Sequence, residues 1–353
     1  MTQTPNQTNE PTLEQPRTME REFDLSHFPG QAHLNLANIS GSVDIQSGDE
    51  GVIEVVAEID HRSGDPDHTR VEMTQAADGS VTVKTDYGES FWRWIGQSPS
   101  DVHYAVRVPR NCWLQLRCIS SKAEVRGLSG RFDLSMISGN LSVSMLSGSV
   151  KANIVSGGLT ADQLTGPADI ETVSGRVEIH NSQFESLKVN TVSGRVQIET
   201  PLGNGPYIFH SVSGDVRLSV PAATRCTIDS TSLSGRLDTN LPITFTDKTG
   251  QKWHMQVQGG GAEVRFDSIS GTLHVMGSGI PSNATPAANG PAAVFTPQGS
   301  RVETPAESKP SPSSVPVSVA NAEDRAAQTR RDILDRVARG ELSVEDAVNQ
   351  LRG

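Results

Sequence analysis

A short phrase, an apolar residue followed by Ser-Gly, recurs every nine residues in the stretch "LSGRFDLSMISGNLSVSMLSGSVKANIVSGG". Each repeat also places apolar residues at alternate positions, as Phe132 and Leu134 do ahead of Ser138-Gly139. Alternation is the period of a strand with one buried face, and nine residues are too few for a strand followed by a helix. The pattern therefore predicts short strands joined by tight corners in a stacked-repeat architecture.

The two residues of the phrase have different predicted roles at the corners. Glycine indicates a positive φ or a close approach of neighbouring backbones, and a serine hydroxyl can bond a nearby backbone group. Every second phrase forms one column, with steps of 18, 18, 19, 20 and 21 residues from Ser138 to Ser234. We predict that this column stacks coil on coil in chain order, and that its structural turn residues are Ser138, Gly139, Ser156, Gly157, Ser174, Gly175, Ser193, Gly194, Ser213, Gly214, Ser234 and Gly235.

Two nonapeptide units make one coil, so the predicted fold is all-β, a parallel β-solenoid with coils of about 18–21 residues. The template also occurs near the start, around Ser40-Gly41, and at the end, around Ser270-Gly271. The stretch "TDKTGQKWHMQVQGGGAEV" predicts a hairpin that covers the open end, because an uncovered coil leaves strand edges unpaired. An antiparallel meander folded into a sandwich is the alternative.

Composition divides the chain into four predicted segments. We predict a disordered tail over residues 1–21. We also predict a disordered linker over residues 278–321, which are rich in Pro, Ser and Ala. Residues 22–277 predict the solenoid, with an amino-terminal β extension over 22–110 and regular coils with the hairpin over 111–277.

Residues 322–353 predict a helical hairpin, with Gly340 ending one helix and Ser343 and Asp346 forming a capping box for the next. Two such short helices bury too little surface to be stable alone, so they predict pairing with a second copy of the chain or with another protein. The candidate contact residues are Ile333, Leu334, Val337, Ala347, Val348 and Leu351.

Net charge argues against one class of partner. A net charge of −11 disfavours nucleic acid, because phosphate-binding surfaces concentrate Lys and Arg. The amino terminus has no apolar run of signal-peptide length, and no stretch approaches the ~20 apolar residues of a membrane span. The expected location is therefore the cytoplasm, with envelope association left open.

Cys112, Cys118 and Cys226 are expected to be buried free thiols.

No catalytic residue, metal site or cofactor is predicted. The loop "DHRSGDPDH" holds acids and histidines that could bind a metal, but such loops usually face water. Outward positions that mix charges of both signs with one neutral amide predict a solvated face, and they are Arg176, Glu178, Lys188, Arg195, Gln197, Glu199, Asp215 and Arg217. An aromatic cluster, Phe91, Trp92, Trp94 and Ile95, either plugs the first coil or forms an exposed patch for a partner or a membrane surface.

The segment "YAVRVPRNCWLQLRCISSKAEV" followed by repeated Val-Ser-Gly-x-Val-x-Ile resembles the bacterial putative-adhesin β-strand-repeat family, a domain of unknown function that includes proteins of the YvlB and LiaX type. The tail "ILDRVARGELSVEDAVNQL" is similar to the SHOCT-like helical hairpin that accompanies the domain. The resemblance implies a parallel β-solenoid, no known enzymatic activity and, for some members, a link to cell-envelope stress.

The sequence thus favours a non-enzymatic scaffold or adhesin-like interaction protein, in which a tether raises the effective concentration of the helical module. Two alternatives stay open. One is a carbohydrate-active enzyme or carbohydrate binder that uses one solenoid face, and the other is a peripheral membrane binder that uses Phe91 to Ile95.

Overall fold

The computed structural model describes residues 17–28, 30–64, 69–86 and 100–279. All regular secondary structure in these residues is β-strand. The first ten strands are β1 (Arg17–Asp24), β2 (Ala32–Ser47), β3 (Val52–Ile59), β4 (Arg70–Gln75), β5 (Val81–Asp86), β6 (Val102–Val108), β7 (Asn111–Arg126), β8 (Ser129–Thr165), β9 (Ala168–Thr172) and β10 (Arg176–His180). The other ten are β11 (Leu187–Thr191), β12 (Arg195–Glu199), β13 (Tyr207–Ser211), β14 (Asp215–Pro221), β15 (Cys226–Ser232), β16 (Arg236–Thr239), β17 (Ile243–Thr249), β18 (Lys252–Val257), β19 (Ala262–Ser268) and β20 (Thr272–Ser278).

The central strands stack in parallel, one coil above the next. Leu114 of β7 pairs with Phe132 of β8, and Gly158 of β8 pairs with Arg176 of β10. Each coil contributes one strand to each of two faces. Face one contains β9, β11 and β13, and face two contains β10, β12 and β14. The parallel register confirms the predicted β-solenoid and excludes the antiparallel meander.

The core lies between the two faces and is built by the alternation seen in the sequence. Leu114, Phe132, Ile170, Val189 and Phe209 all point inward and are fully buried. Fully burying a side chain of this kind stabilises the fold by about 1.5–3 kcal/mol. Because each coil adds several such residues, the core is continuous along the stack.

The order of the coils differs from the order of the chain at both ends. Strand β2 lies between β7 on one side and β5 and β6 on the other. At the carboxyl end, β19 and β20 lie between β13 and β14 on one side and β15 and β16 on the other.

The insertion at the carboxyl end changes the predicted serine column. The backbone N–H of Ser270 bonds the carbonyl of Val212, and that of Ser234 bonds the carbonyl of Ile269, both at 2.9 Å. The prediction that Ser234 stacks directly on the Ser213 coil is therefore wrong. Every coil presents the same parallel edge, so a later segment can insert between two earlier ones.

Antiparallel strands close both ends of the solenoid. At the amino end β3 pairs with β6, β1 pairs with β3, and β4 pairs with β5. At the carboxyl end β18 pairs with β15, and β17 pairs with β18 to form the hairpin that the sequence predicts over 246–264.

At each end of the solenoid, a cation on an end strand contacts an aromatic ring. Arg21 lies over the ring of Phe23 at 5.0 Å and donates a hydrogen bond to the carbonyl of Met73 at 2.5 Å. At the opposite end Lys248 lies 4.3 Å from the ring centroid of Trp253.

Candidate interaction surfaces

Serine hydroxyls bind the backbone at the corners of the later coils. The hydroxyls of Ser174, Ser193 and Ser213 donate to carbonyls of Val155, Val173 and Val192 in the preceding coil, at 3.2–3.3 Å. The same bond is made by Ser234 to Ile269. These serines therefore hold one coil to the next. Within the described chain, Ser138 and Ser156 make no such hydroxyl bond.

The corner glycines lie directly against the backbone of the neighbouring coil. A Cβ at Gly194 would lie 2.5 Å from the carbonyl oxygen of Gly175, and one at Gly175 would lie 2.8 Å from that of Gly157. Gly139 in addition has a φ of 120°, a conformation that a side chain disfavours. Close approach therefore requires glycine at each of these corners, and positive φ adds to the requirement in the earlier coils.

Hydroxyl residues three positions before the glycine close the later corners, a feature that the sequence reading did not single out. The N–H of Gly175 donates to Thr172 Oγ1, and that of Gly194 donates to Thr191 Oγ1, both at 3.0 Å. Ser211 accepts the equivalent bond from Gly214 at 2.8 Å. The signal was present in the sequence as Thr or Ser at this position.

Several predicted site residues lie outside the described residues. These are the aromatic cluster Phe91, Trp92, Trp94 and Ile95 and the tail residues predicted to be helical, Ile333, Leu334, Val337, Ala347, Val348 and Leu351. Of the acidic loop, Asp65, Asp67 and His68 also fall outside, and the Asp60 carboxylate accepts the N–H of Arg62 at 2.8 Å. The predictions for these residues stay predictions.

Two of the acids predicted on the solvated face lie beside basic side chains on face two. Glu199 lies 3.3 Å from His180, and Glu178 lies 3.9 Å from Arg176. In the part of the chain that the structure describes, no group of three or more His, Cys, Asp or Glu side chains could hold a metal ion. Mixed pairs of this kind are what exposed, charged strands form.

The three cysteines are buried and free. Burial raises the pKa of the Cys112 and Cys118 thiols to about 12 and that of Cys226 to about 11. Because the thiolate is the reactive form, these side chains are core residues with little nucleophilic character.

Exposed apolar side chains concentrate at the carboxyl end of the solenoid. Among the described residues, five of the six large hydrophobic side chains that are exposed lie there, and Met145 is the sixth. Three of them precede Ser-Gly at stacked corners and become more exposed toward the end, from Val212 at 43% through Ile269 at 53% to Leu233 at 65%. The other two, Ile243 and Phe245, are on the end strand β17.

A groove runs along face one across the central coils, with a volume of about 560 Å³. We call it the axial groove. One side carries charges that alternate in sign from coil to coil, and the other carries small residues and prolines. Its lining includes Arg131, Asp133, Ser149, Lys151, Pro167, Asp169, Ser186, Lys188, Pro206 and Ile208.

The parallel coils and the continuous core define a β-solenoid protein. The chain belongs to the Toastrack DUF4097 family, whose model matches residues 32–276. This confirms the resemblance for the solenoid, whereas the SHOCT-like likeness of the tail stays a prediction. No curated protein matched the chain.

Three solved structures are similar to this chain. A putative adhesin of Bacteroides fragilis is 10% identical, with a TM-score of 0.40 over 73% of this chain and 97% of that one. A putative lipid binding protein of Parabacteroides distasonis is 12% identical, with a TM-score of 0.35 over 74% and 97%. A putative cell adhesion protein of Clostridium sporogenes is 10% identical, with a TM-score of 0.28 over 75% and 100%.

Within the described ranges, no helix is long and apolar enough to cross a membrane.

Proposed function

We propose that this protein is a non-enzymatic, adhesin-like scaffold that assembles with further copies of itself. Each chain makes two kinds of contact, one at the carboxyl end of the solenoid and one through the predicted helical segment 322–353. Two separate contacts on one chain give valency, because the first contact raises the effective concentration of the second.

The observation that carries this proposal is the uneven exposure of apolar side chains. The amino end directs its large hydrophobic residues inward, as Phe23 at 2% exposure illustrates. At the carboxyl end, Phe245 and Ile243 remain 50% and 48% exposed on β17. Contiguous exposed apolar surface marks an interaction site more often than a solvated one.

The occupant that fits β17 is the same strand of a second copy. Among the described strands β17 pairs only with β18, so its outer edge is free to accept another strand. Two identical strands can pair antiparallel about a two-fold axis, the commonest symmetry of soluble oligomers.

The charges of β17 are compatible with such pairing. With Thr246 opposite its own copy, Asp247 lies opposite Phe245 of the second copy, and Lys248 lies opposite Thr244. No like charges then face each other across the pair, whereas centring the pair on Asp247 would place two carboxylates together. The register centred on Thr246 is therefore the one we expect.

The second contact rests on the amphipathic pattern of the tail. Ile333, Leu334 and Val337 share one predicted helical face, and Val348 and Leu351 share the next. These faces need a partner to bury them, and a copy of the same hairpin supplies a matching face.

Solution mass by light scattering after size exclusion tests the proposal. The full chain is expected to form species larger than a dimer. Phe245→Asp places a carboxylate opposite Asp247 of the second copy and breaks the β17 contact, and Leu334→Asp with Leu351→Asp breaks the tail contact. Each change is expected to leave a dimer. The combined variant is expected to be a monomer.

Matched controls change charge without touching either contact. Met145→Asp adds the same charge at an equally exposed apolar position, 53%, on β8 rather than on β17. Gln328→Asp with Gln350→Asp adds the same two charges to the tail at polar positions. Both should keep the wild-type mass. A monomer after the tail change alone would refute the β17 contact, and an unchanged mass in the combined variant would refute both.

A further inference from the structure

The axial groove combines charges of both signs in a regular order. On face one, Lys151 pairs with Asp169 and Asp169 pairs with Lys188 in adjacent coils. Asp133 precedes Lys151 by one 18-residue coil. Neighbouring strands are about 4.8 Å apart, so opposite charges alternate at that interval along the groove.

Among the described residues, the two groove lysines do not form ion pairs with the groove carboxylates. Within the described chain, no ion pair of 4.0 Å or less joins Lys151 or Lys188 to a carboxylate. Coil-to-coil pairing is feasible on the same face, since Asn190 donates to Glu171 at 3.3 Å one strand apart. The groove charges therefore remain available to a ligand.

One groove atom lacks a hydrogen bond that its burial calls for. The Oδ1 atom of Asp169 is shielded from solvent and has no hydrogen-bond partner among the described residues. A carboxylate with one oxygen cut off from water is poorly solvated, and an ammonium group that donates to its other oxygen would offset that cost. The ligand should therefore present an ammonium group at Asp169.

The rest of the groove indicates what else the ligand carries. A polyanion would meet a carboxylate at every second coil and a polycation would meet an ammonium, so the alternation favours a ligand with both charges. The groove lining holds three cationic side chains and two acidic ones, which favours a ligand with excess negative charge. Pro167, Pro206 and Ile208 supply apolar surface for a short methylene spacer.

We propose that the axial groove binds aminoethyl phosphate, the phosphoethanolamine group. Its ammonium donates to Asp169, and its phosphate accepts from Lys188 or Lys151 in the adjacent coil. A two-carbon spacer is compatible with a coil rise of about 4.8 Å. A phosphate monoester carries about −1.5 to −2 charges at pH 7, which outweighs the single ammonium and matches the local excess of cations.

Calorimetric titration of the full chain tests this assignment with three soluble probes: phosphoethanolamine, phosphocholine and inorganic phosphate. The quaternary ammonium of phosphocholine has no N–H and cannot satisfy Asp169. Loss of one charge-assisted hydrogen bond predicts binding weaker by on the order of tenfold for phosphocholine. Inorganic phosphate, which lacks the ammonium, should be weakened similarly.

Two variants assign the contacts to residues. Asp169→Asn should reduce phosphoethanolamine affinity about tenfold and abolish its advantage over phosphocholine. Lys188→Gln should weaken phosphoethanolamine and inorganic phosphate together. Asp215→Asn on face two is the matched control and should bind as the wild type does. Circular dichroism checks folding, and if Asp169→Asn does not fold, Lys188→Gln and the phosphocholine comparison decide.

Equal affinity for phosphoethanolamine and phosphocholine, or no detectable binding of phosphoethanolamine, would overturn the proposal. Co-sedimentation with phosphatidylcholine vesicles, with and without phosphatidylethanolamine, then identifies the source of the group. Sedimentation only with phosphatidylethanolamine supports a lipid headgroup. Binding of soluble phosphoethanolamine without sedimentation supports a phosphate monoester that is not embedded in a bilayer.

Discussion

Corners of the earlier and later coils contain the same Ser-Gly phrase but close in different ways. At the earlier corner, Gly139 has a φ of 120° and follows a buried apolar residue, Met136, by three positions. At the later corner, Gly194 lies outside the positive-φ region and donates its N–H to Thr191 Oγ1. The residue three positions before the glycine therefore distinguishes two ways of turning the chain.

Strand length follows from this difference. Where no hydroxyl competes for the glycine N–H, the ladder continues through the corner, and β8 extends over 37 residues. Where Thr or Ser accepts that N–H, the strand ends at the hydroxyl residue, as β9 ends at Thr172 and β11 at Thr191. Side chains of this type commonly replace backbone partners at turns.

The largest predicted effect comes from adding a Cβ to the corner glycines. Gly139→Ala combines an overlap with the Ser121 carbonyl oxygen and a strained φ, so we expect it to lower the free energy of unfolding by about 3 kcal/mol or more. Gly194→Ala meets the overlap alone and should cost somewhat less. Urea denaturation followed by circular dichroism measures both.

Gly279→Ala is the control for this pair, because a Cβ there has no atom within 4 Å. It should unfold at the wild-type midpoint. If Gly139→Ala also does so, close stacking at the corners is not what requires glycine.

The sequence predicts the coil but not the order of the coils. Alternating apolar residues such as Leu141 and Val143 specify which face is buried, and the recurring glycine specifies where the backbones approach. The insertion of β19 and β20 beneath β15 and β16 could not be predicted, since every coil offers the same edge. A step of 36 residues from Ser234 to Ser270 fits either order.

The candidate surfaces are predicted less well than the fold. Lys188 was expected on a solvated face, and the sequence does not indicate that it shares a groove with Asp169 and Lys151. That juxtaposition depends on the register between coils of 18 and 19 residues, which is a tertiary property. The exposure of Leu233 also depends on tertiary structure, because the equivalent residue in an earlier coil, Val155, is only 3% exposed.

An intermediate effect is expected when the hydroxyl is removed from a later corner. Thr191→Val keeps the side-chain shape but leaves the Gly194 N–H without its partner, which should cost about 1–3 kcal/mol. The matched change is Ile154→Val, two coils away in the same column, where only a methylene is lost and about 0.5–1.5 kcal/mol is expected.

Amide hydrogen exchange separates the two mechanisms. Exchange at Gly194 should become faster in Thr191→Val, whereas exchange at Gly157 should change little in Ile154→Val beyond the change in global stability. Unchanged protection of Gly194 in Thr191→Val would mean that the hydroxyl does not close the corner.

The smallest predicted effect concerns the serine of the phrase. In a later coil, Ser193→Ala removes the hydroxyl bond to Val173, but the Ser193 N–H still bonds the same carbonyl at 2.8 Å. The expected loss is therefore at the low end for a hydrogen bond, about 0.5 kcal/mol. In the earlier coils Ser138→Ala should be close to neutral, because no hydroxyl bond of Ser138 is present among the described residues. The urea midpoints of Ser193→Ala and Ser138→Ala test whether the serine of the Ser-Gly phrase acts differently in later and earlier coils. Equal losses of stability in the two variants would show that the serine has the same role in both.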